Sequence, residues 1–287
     1  MASIMMKNRQ GTSRLTQLCA TVLLAVAFVT MPAVLAARAG VDIQEVKSDS
    51  GVTAWLVEDY TVPIITVRFA FKGGTTQDPA GKEGIANLMT GLFDEGAGDL
   101  DSDAFQQRLD EVGAEMSFSA TRDAIYGQMR MLAEERDNAF DLLRLAVNSP
   151  RFDQQPVDRI RAQLNTQIQR ALRDPNEQGM EKFAKALYGD HPYARRSDGT
   201  LESLGSVTPD DLHALHKRIF ARSNLHVAVV GAIDAETLKK ELDRVFGTLP
   251  QDPDLVAIER TQPKLGQVVH HPYNLPQATL QLVYPGL

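Results

Sequence analysis

An apolar segment of ten residues, 62–71, constrains the fold more than any other feature of the chain. It reads Val-Pro-Ile-Ile-Thr-Val-Arg-Phe-Ala-Phe, and Gly73-Gly74 follow shortly after it. β-Branched and aromatic residues favour extended backbone and glycines favour turns, so the segment predicts a long strand. Because a strand is stable only when its apolar face is covered, the chain must build a sheet and pack a second layer against it.

The remaining predicted strands and helices come in blocks and do not alternate strictly. Further strands are predicted in four segments, which are 52–57, 114–120, 124–131 and 225–230. Helices are predicted in seven segments, which are 83–93, 101–112, 134–147, 156–174, 177–187, 209–220 and 234–246. Ser102 and Thr208 are predicted to cap two of these helices. The block order favours an α+β fold with helices on one face of a mainly antiparallel sheet.

The long strand has a similar segment near the end of the chain, at a constant offset of 213 residues. The two similar segments are Tyr60-x-x-Pro63-x-x-Thr66-Val67-x-Phe69-Ala70-Phe71-x-Gly73 and Tyr273-x-x-Pro276-x-x-Thr279-Leu280-x-Leu282-Val283-Tyr284-x-Gly286. A repeat of one segment can arise by chance, but this one follows a linker rich in Pro and Asp. We therefore expect a first domain at 37–250, a linker at 251–266 and the opening strands of a second domain at 267–287.

The first 36 residues have the pattern of a secretory signal peptide. Their basic start, which contains no acid, is formed by Lys7, Arg9 and Arg14. Residues 18–29 are almost wholly apolar, and Val34-Leu35-Ala36 supplies the small residues expected before a cleavage site. An uncleaved membrane anchor is the alternative, but the apolar run is short for a span of about 20 residues. We expect cleavage after Ala36, a periplasmic or secreted protein, and no membrane attachment afterwards.

The mature chain that this cleavage would release contains no cysteine, because Cys19 is the only one. It therefore cannot use disulfides, thiolate metal ligands or a cysteine nucleophile. Removing the three positive charges of the signal takes the formal net charge from −7 to −10. With that charge and only 6% aromatic residues, the chain lacks the basic surface and the stacking platforms that nucleic acids require.

Several local patterns together resemble the pitrilysin/insulinase family of metallopeptidases, which includes the mitochondrial processing peptidases. The resemblance covers roughly residues 41–249. The patterns that carry it are the strand 62–71 with Gly73-Gly74 and Gly84-Ile85-Ala86, then His191-Pro192-Tyr193 with Gly199-Thr200-x-x-Ser203-Leu204, and finally His216-x-x-x-Phe220-x-x-x-Asn224-Leu225-x-Val227-x-Val229-Val230-Gly231. The resemblance implies the processing-peptidase/LuxS-like metallohydrolase fold, with one full domain followed by the start of a second.

The catalytic residues of the family have no counterparts at the matching positions. Active members carry His-x-x-Glu-His on the helix after Gly-x-Ala, where two His bind Zn²⁺ and the Glu is the general base. In this chain Asn87 replaces the first His, Thr90 the Glu and Gly91 the second His, and the downstream Glu ligand falls near Gln167. Zinc binds imidazole, thiolate or carboxylate, so these residues predict no metal and no catalytic residue in this chain. A glycine inside the predicted helix would also cost about 1 kcal/mol relative to Ala.

Other metal sites are weaker hypotheses. His213 and His216 have i,i+3 spacing on a predicted helix, with Asp210 and Asp211 nearby, and His270-His271 would point to opposite faces of a strand. Four acids around the degenerate helix could bind a hard cation, although a solvated acidic flank is the simpler interpretation. These acids are Glu83, Asp94, Glu95 and Asp99. A Ser/His/Asp triad is not excluded by composition, but no Gly-x-Ser-x-Gly is present.

The function implied by the resemblance is that of a non-catalytic subunit of an exported zinc peptidase. The chain would form part of a chamber and bind unfolded peptide as an added strand, while a homologous partner subunit supplies the zinc. The peptide-binding residues are not assigned by the sequence. Two alternatives stay open, namely an active zinc endopeptidase with a misassigned site and a non-proteolytic binding or scaffold protein.

Overall fold

The strand predicted at 62–71 forms as β3, Ile64–Lys72, and lies in the interior of a six-stranded sheet. The computed structural model describes residues 41–274 and 276–285, so the predicted signal peptide lies outside the described residues. The sheet and its helices belong to the unit Ile43–Leu287, and of the preceding unit only Val41 and Asp42 are described.

The sheet is mixed, with strand order β1-β2-β6-β3-β5-β4. The other strands are β1 Gln44–Lys47, β2 Thr53–Glu58, β4 Glu115–Ala120, β5 Ala124–Leu132 and β6 Leu225–Gly231. Only β2 and β6 pair in parallel, and the other four pairs are antiparallel. The predicted mainly antiparallel sheet is confirmed, although β1 was not predicted.

Eight helices are described. They are α1 Ile85–Thr90, α2 Ser102–Glu111, α3 Arg136–Asn148, α4 Gln154–Ala171, α5 Pro175–Tyr188, α6 Leu201–Gly205, α7 Pro209–Ile219 and α8 Ala235–Phe246. Alternate residues of β3, such as Val67 and Phe69, are buried, whereas Arg68 between them is exposed. One face of the sheet is therefore covered by the core, as the α+β prediction requires. Among the described residues, no helix is long and apolar enough to cross a membrane.

Two predicted helix ends differ from the structure. The helix predicted at 83–93 ends at Thr90, where Gly91 is the C-cap, so the prediction of a glycine inside this helix is wrong. α2 is capped by Asp101, whose Oδ1 accepts a hydrogen bond from the Ala104 N–H at 2.9 Å, and not by Ser102. A carboxylate accepts more strongly than a hydroxyl, which explains the shift. The Thr208 cap of α7 is confirmed.

The last segment of the chain contains no regular secondary structure in its described residues, 267–274 and 276–285. The opening strands predicted at 267–287 are therefore not formed there. Val268 is 96% exposed and Leu280 is 81% exposed, and a strand needs a partner for its backbone groups. The second domain stays a prediction.

Candidate functional site

Helix α1, which carries the positions of the family's metal site, begins at a buried acid. Asp78 is only 4% exposed, and its carboxyl oxygens accept hydrogen bonds from the Gly84 N–H at 2.8 Å and the Ala86 N–H at 3.2 Å. Burial raises the pKa of Asp78 to about 7, against the opposing effect of these two hydrogen bonds. The carboxyl satisfies backbone donors that a six-residue helix leaves without partners at its start.

Two of the motifs that carry the family resemblance meet immediately before α1. A Cβ atom on Gly84 would lie 2.5 Å from the Asp198 carbonyl oxygen, and one on Gly199 would lie 2.0 Å from the Glu83 carbonyl oxygen. Both glycines have positive φ, at 91° and 74°. The Ser203 hydroxyl donates to the same Glu83 carbonyl at 2.8 Å. Only glycine permits two backbones to approach this closely, so these motifs position α1.

Asn87 and Thr90 use their side chains for hydrogen bonds to neighbouring residues. The Asn87 amide donates to the Ser197 carbonyl at 2.8 Å and to Asp198 Oδ1 at 3.2 Å. The Thr90 hydroxyl is buried and donates to the Asn87 carbonyl at 2.9 Å. These contacts fix α1 against the 197–198 loop. Neither side chain supplies an imidazole or carboxylate to a metal, and neither can act as a general base near neutral pH.

Gly91 lies against helix α4. A Cβ atom at this position would lie 2.9 Å from Ile160 Cγ2, so the space beside α1 is filled by an aliphatic side chain. Gln167 is exposed on α4. The side chains of α4 that pack into the core are Val157, Ile160, Leu164 and Ile168. The α4 surface that faces the core therefore presents apolar groups, and Gln167 does not lie on it.

The histidine pair does not form a metal site. His216 Nε2 lies 2.9 Å from the Val147 carbonyl oxygen, and the ring packs against Phe220 with a centroid distance of 4.4 Å. Burial lowers the pKa of His216 to about 4, so this imidazole is neutral at physiological pH and hydrogen-bonded within the core. His213 is exposed, and Asp211 caps α7 and pairs with Lys82.

The acids around α1 do not form a cation site either. Glu95 is buried, pairs with Arg159 and accepts a hydrogen bond from the Ser102 hydroxyl at 2.6 Å. Burial raises the pKa of Asp94. Asp99 is exposed. Across the described part of the chain, no group of three or more His, Cys, Asp or Glu side chains could hold a metal ion.

The feature that the sequence did not assign is the edge of the sheet at β4. β4 pairs with β5 on one side and is the last strand in the sheet order, so no described strand covers its other side. It contacts α1 and alternates half-buried Met116 and Phe118 with exposed Ser117 and Ser119. An edge strand next to an apolar row can accept a further strand. The alternation of 115–120 was visible in the sequence, but its place at the edge depends on the sheet order.

Two family models match the chain. Residues 54–200 match the model described as insulinase (peptidase family M16), and residues 206–287 match the model described as peptidase M16 inactive domain. Together they cover the described sheet from β2 onward.

Individual proteins with family M16 names are also similar to this chain. The non-peptidase homolog YmxG of Helicobacter pylori is 23% identical over 194 residues, 68% of this chain and 45% of its own. The probable mitochondrial-processing peptidase subunit beta of Arabidopsis thaliana is 20% identical over 207 residues, 71% of this chain and 39% of its own. The crystal structure of a peptidase M16 inactive domain from Pseudomonas fluorescens superposes with a TM-score of 0.72 at 28% identity and covers 78% of this chain and 55% of its own. The chain thus spans about half the length of these relatives.

Proposed function

The chain belongs to peptidase family M16, the insulinase family, and we propose that it acts there as a non-catalytic subunit of an exported zinc peptidase. It contributes to the wall of the chamber and binds extended peptide. A homologous subunit with an intact His-x-x-Glu-His supplies the zinc and the general base.

The proposal rests on the residues that α1 carries at the family's metal and base positions. Asn87, Thr90 and Gly91 stand where a catalytic member needs two imidazoles and a carboxylate, and the first two use their side chains in hydrogen bonds to backbone carbonyls. The Gly91 position is packed against Ile160. A helix built this way keeps its place in the fold without a metal. The name of the H. pylori relative, a non-peptidase homolog, supports the same interpretation.

A role in peptide binding is supported by the edge at β4. A peptide that adds to β4 forms main-chain hydrogen bonds irrespective of its sequence, which suits an unfolded substrate. Its side chains on the covered side of the sheet would extend the half-buried row of Met116 and Phe118. The position of β4 beside α1 puts the bound strand next to the helix that carries the catalytic residues in active members.

Two further observations support the proposed partner and the proposed export. The Arabidopsis relative is named as one subunit of a processing peptidase, and members of this family thus work as subunits. The residues 1–36 have the pattern of a cleaved signal, which would place the mature chain in the periplasm or outside the cell.

Reconstitution with a zinc-bearing homologue from the same organism tests the proposal. The mature chain alone should contain far less than one zinc and should not hydrolyse an unstructured peptide, whereas adding it to the homologue should raise the hydrolysis rate. Chelator-sensitive hydrolysis by the chain alone, or no change in the homologue's rate, would contradict the proposal.

Cross-linking locates the peptide. A photoreactive residue placed at Ser117, on the β4 edge, should capture the bound peptide. The same residue at Glu45, which is exposed on β1 at the opposite edge of the sheet, is the matched control and should not. Equal capture at the two edges would show that β4 is not the binding edge.

A further inference from the structure

The face of the sheet that the helices leave uncovered contains a shallow polar groove across β3, β5 and β4. The groove encloses about 440 Å³, and its lining residues are Thr66, Arg68, Glu115, Met116, Ser117, Gln128, Met129 and Arg130. The strand register arranges the polar residues in two rows. Arg68, Gln128 and Ser117 form one row, and Thr66, Arg130 and Glu115 form the next. Both rows end at the edge strand β4.

The two arginines of the groove differ in their partners. Arg130 Nη2 lies 3.1 Å from Glu115 Oε1, so its charge is compensated within the groove. Arg68 is exposed and makes no ion pair and no side-chain hydrogen bond with any residue of the described ranges. Gln128 and Ser117, which lie between Arg68 and the edge, are neutral and can donate hydrogen bonds. The first row is therefore a line of donors that ends in an uncompensated guanidinium.

A carboxylate is the group that fits this row. Guanidinium binds carboxylate with charge-assisted hydrogen bonds, and the neutral amide and hydroxyl can donate to the same oxygens. A polyanion fits poorly, because the chain as a whole has a net charge of −7 and the second row holds a carboxylate. The site therefore favours a single acidic side chain over a nucleic acid.

A peptide strand added at β4 would lie beside Ser117, at the end of the first row that is farthest from Arg68. Neighbouring strands lie about 4.8 Å apart, so Arg68 on β3 is about 14 Å from a strand placed beyond β4. A glutamate of the peptide that leans over Ser117 brings its carboxylate within hydrogen-bonding reach of the Gln128 amide, and the Arg68 guanidinium is the attractive charge next along the row. The shorter aspartate reaches less far. A peptide residue opposite Glu115, two positions along, instead faces a like charge.

From this arrangement we propose that the groove makes the subunit selective for extended peptides with a glutamate at the position opposite Ser117. The inference rests on the proposed binding of peptide at β4 and adds a substrate class to it. Arg68 is the residue that determines the preference, and Gln128 and Ser117 line the path to it.

Peptide binding to the purified mature chain tests the inference without a catalytic partner. The probes are ten-residue peptides with blocked ends and a neutral alternating sequence, in which Glu, Asp or Gln is placed at each position in turn. Fluorescence anisotropy measures the dissociation constants. We expect one position at which Glu binds about three- to fivefold tighter than Gln, with Asp weaker than Glu, as for a single half-exposed ion pair.

Variants separate the site from the overall charge. Arg68→Gln should abolish the preference for Glu over Gln, so that the dissociation constants of the two peptides become equal. Lys72→Gln is the matched control, since it removes the same charge from the same strand and the same face, and it should keep the preference. If the peptides bind equally whatever their charge, the proposed binding at β4 stands and the selectivity fails. If no peptide binds, the proposed binding at β4 and the selectivity for glutamate both fail. Tighter binding of a single-stranded oligonucleotide than of any peptide would also overturn the proposal that the groove selects a glutamate.

Discussion

Helices α1 and α7 pack against each other in the core, yet they are held in place in opposite ways. α7 has eleven residues and its own capping box, in which Thr208 and Asp211 satisfy each other's backbone donors. α1 has six residues and no side-chain cap of its own, and it depends on Asp78 from a preceding segment. Isolated helices of such lengths are not stable in water, so both need the tertiary structure. α1 also needs hydrogen-bond acceptors from another segment for the N–H groups at its N-terminus.

The two helices also differ in how much of the family's sequence pattern they keep. The family pattern at α7 is present, and its His216 is half-buried and hydrogen-bonded to the Val147 carbonyl. At α1 the family pattern is present in Gly84 and Ala86 at the start of the helix, whereas the positions for metal and base carry Asn87, Thr90 and Gly91. Residues that build the fold and residues that perform catalysis are therefore separable, even within one short helix. Four predictions examine that separation, beginning with the largest expected effect.

The glycine crossing before α1 should be essential for stability although α1 lacks the His-x-x-Glu-His of active members. Gly199→Ala should cost about 2–4 kcal/mol of unfolding free energy, because its Cβ would lie 2.0 Å from the Glu83 carbonyl oxygen at a positive φ. Urea unfolding measures the loss as a lower midpoint at constant slope. Gly205→Ala is the matched control, since no atom lies within 4 Å of its Cβ, and it should cost nothing. Equal midpoints for the two variants would mean that the crossing tolerates a side chain.

Introducing two histidines into α1 should destabilise the chain without producing zinc binding or peptide hydrolysis. Gly91→His together with Asn87→His should cost about 1–3 kcal/mol, because the new side chain overlaps Ile160 and the Asn87 hydrogen bonds are lost. Elemental analysis should still show far less than one zinc per chain, and peptide hydrolysis should stay at the blank. Asn87→His alone is the control that isolates the steric cost at Gly91. Stoichiometric zinc in the double variant would show that the fold retains a latent metal site.

Features that a short segment encodes could be predicted from the sequence, whereas features that depend on packing between distant segments could not. The strands around Phe69 and the helix capped by Thr208 were predictable because period-two burial and capping are local signals. The end of α1 at Gly91 was not predicted, although a glycine that follows a helical segment is a local stop signal. The exposure of Gln167 and the place of β4 at the sheet edge depend on packing and strand order, which no short segment encodes.

Asp78, at the start of α1, and His216, on α7, should make the free energy of unfolding depend on pH with opposite signs. Burial raises the pKa of Asp78 from 3.8 to about 7, so between these values the folded state binds more protons and stability falls as pH rises. Burial lowers the pKa of His216 from 6.5 to about 4, so in that window the unfolded state binds more protons and stability rises with pH. Each slope is at most about 1.4 kcal/mol per pH unit, and in the unmodified chain they partly cancel.

Neutral variants should separate the two slopes. Asp78→Asn should leave the rise that His216 causes, and His216→Gln should leave the fall that Asp78 causes. Unfolding free energies measured between pH 4.5 and 7 check both. If either variant leaves the pH dependence of the unmodified chain unchanged, the corresponding group does not titrate as its burial implies.

The smallest effect is expected for the last segment of the chain, which contributes neither to α1 nor to α7. Beyond Pro263 its contacts include a hydrogen bond from the Lys264 N–H to the Leu187 carbonyl at 2.9 Å and a 2.9 Å contact between Lys182 and His271. Ending the chain after Pro263 should therefore change the unfolding free energy by less than about 0.5 kcal/mol and should improve solubility, because exposed Leu280 is removed.

A shorter chain provides the contrast. Ending after Gln251 also removes Leu255, which packs against the core, and the two hydrogen bonds between Gln77 and Val256 at 2.8 and 3.1 Å. That change should cost about 1–3 kcal/mol, since the buried Gln77 side chain is left without these partners. Thermal unfolding of the two truncated chains decides between the outcomes. If ending after Pro263 is already as costly as ending after Gln251, residues beyond 263 belong to the first domain, and the boundary between domain and linker lies further along the chain.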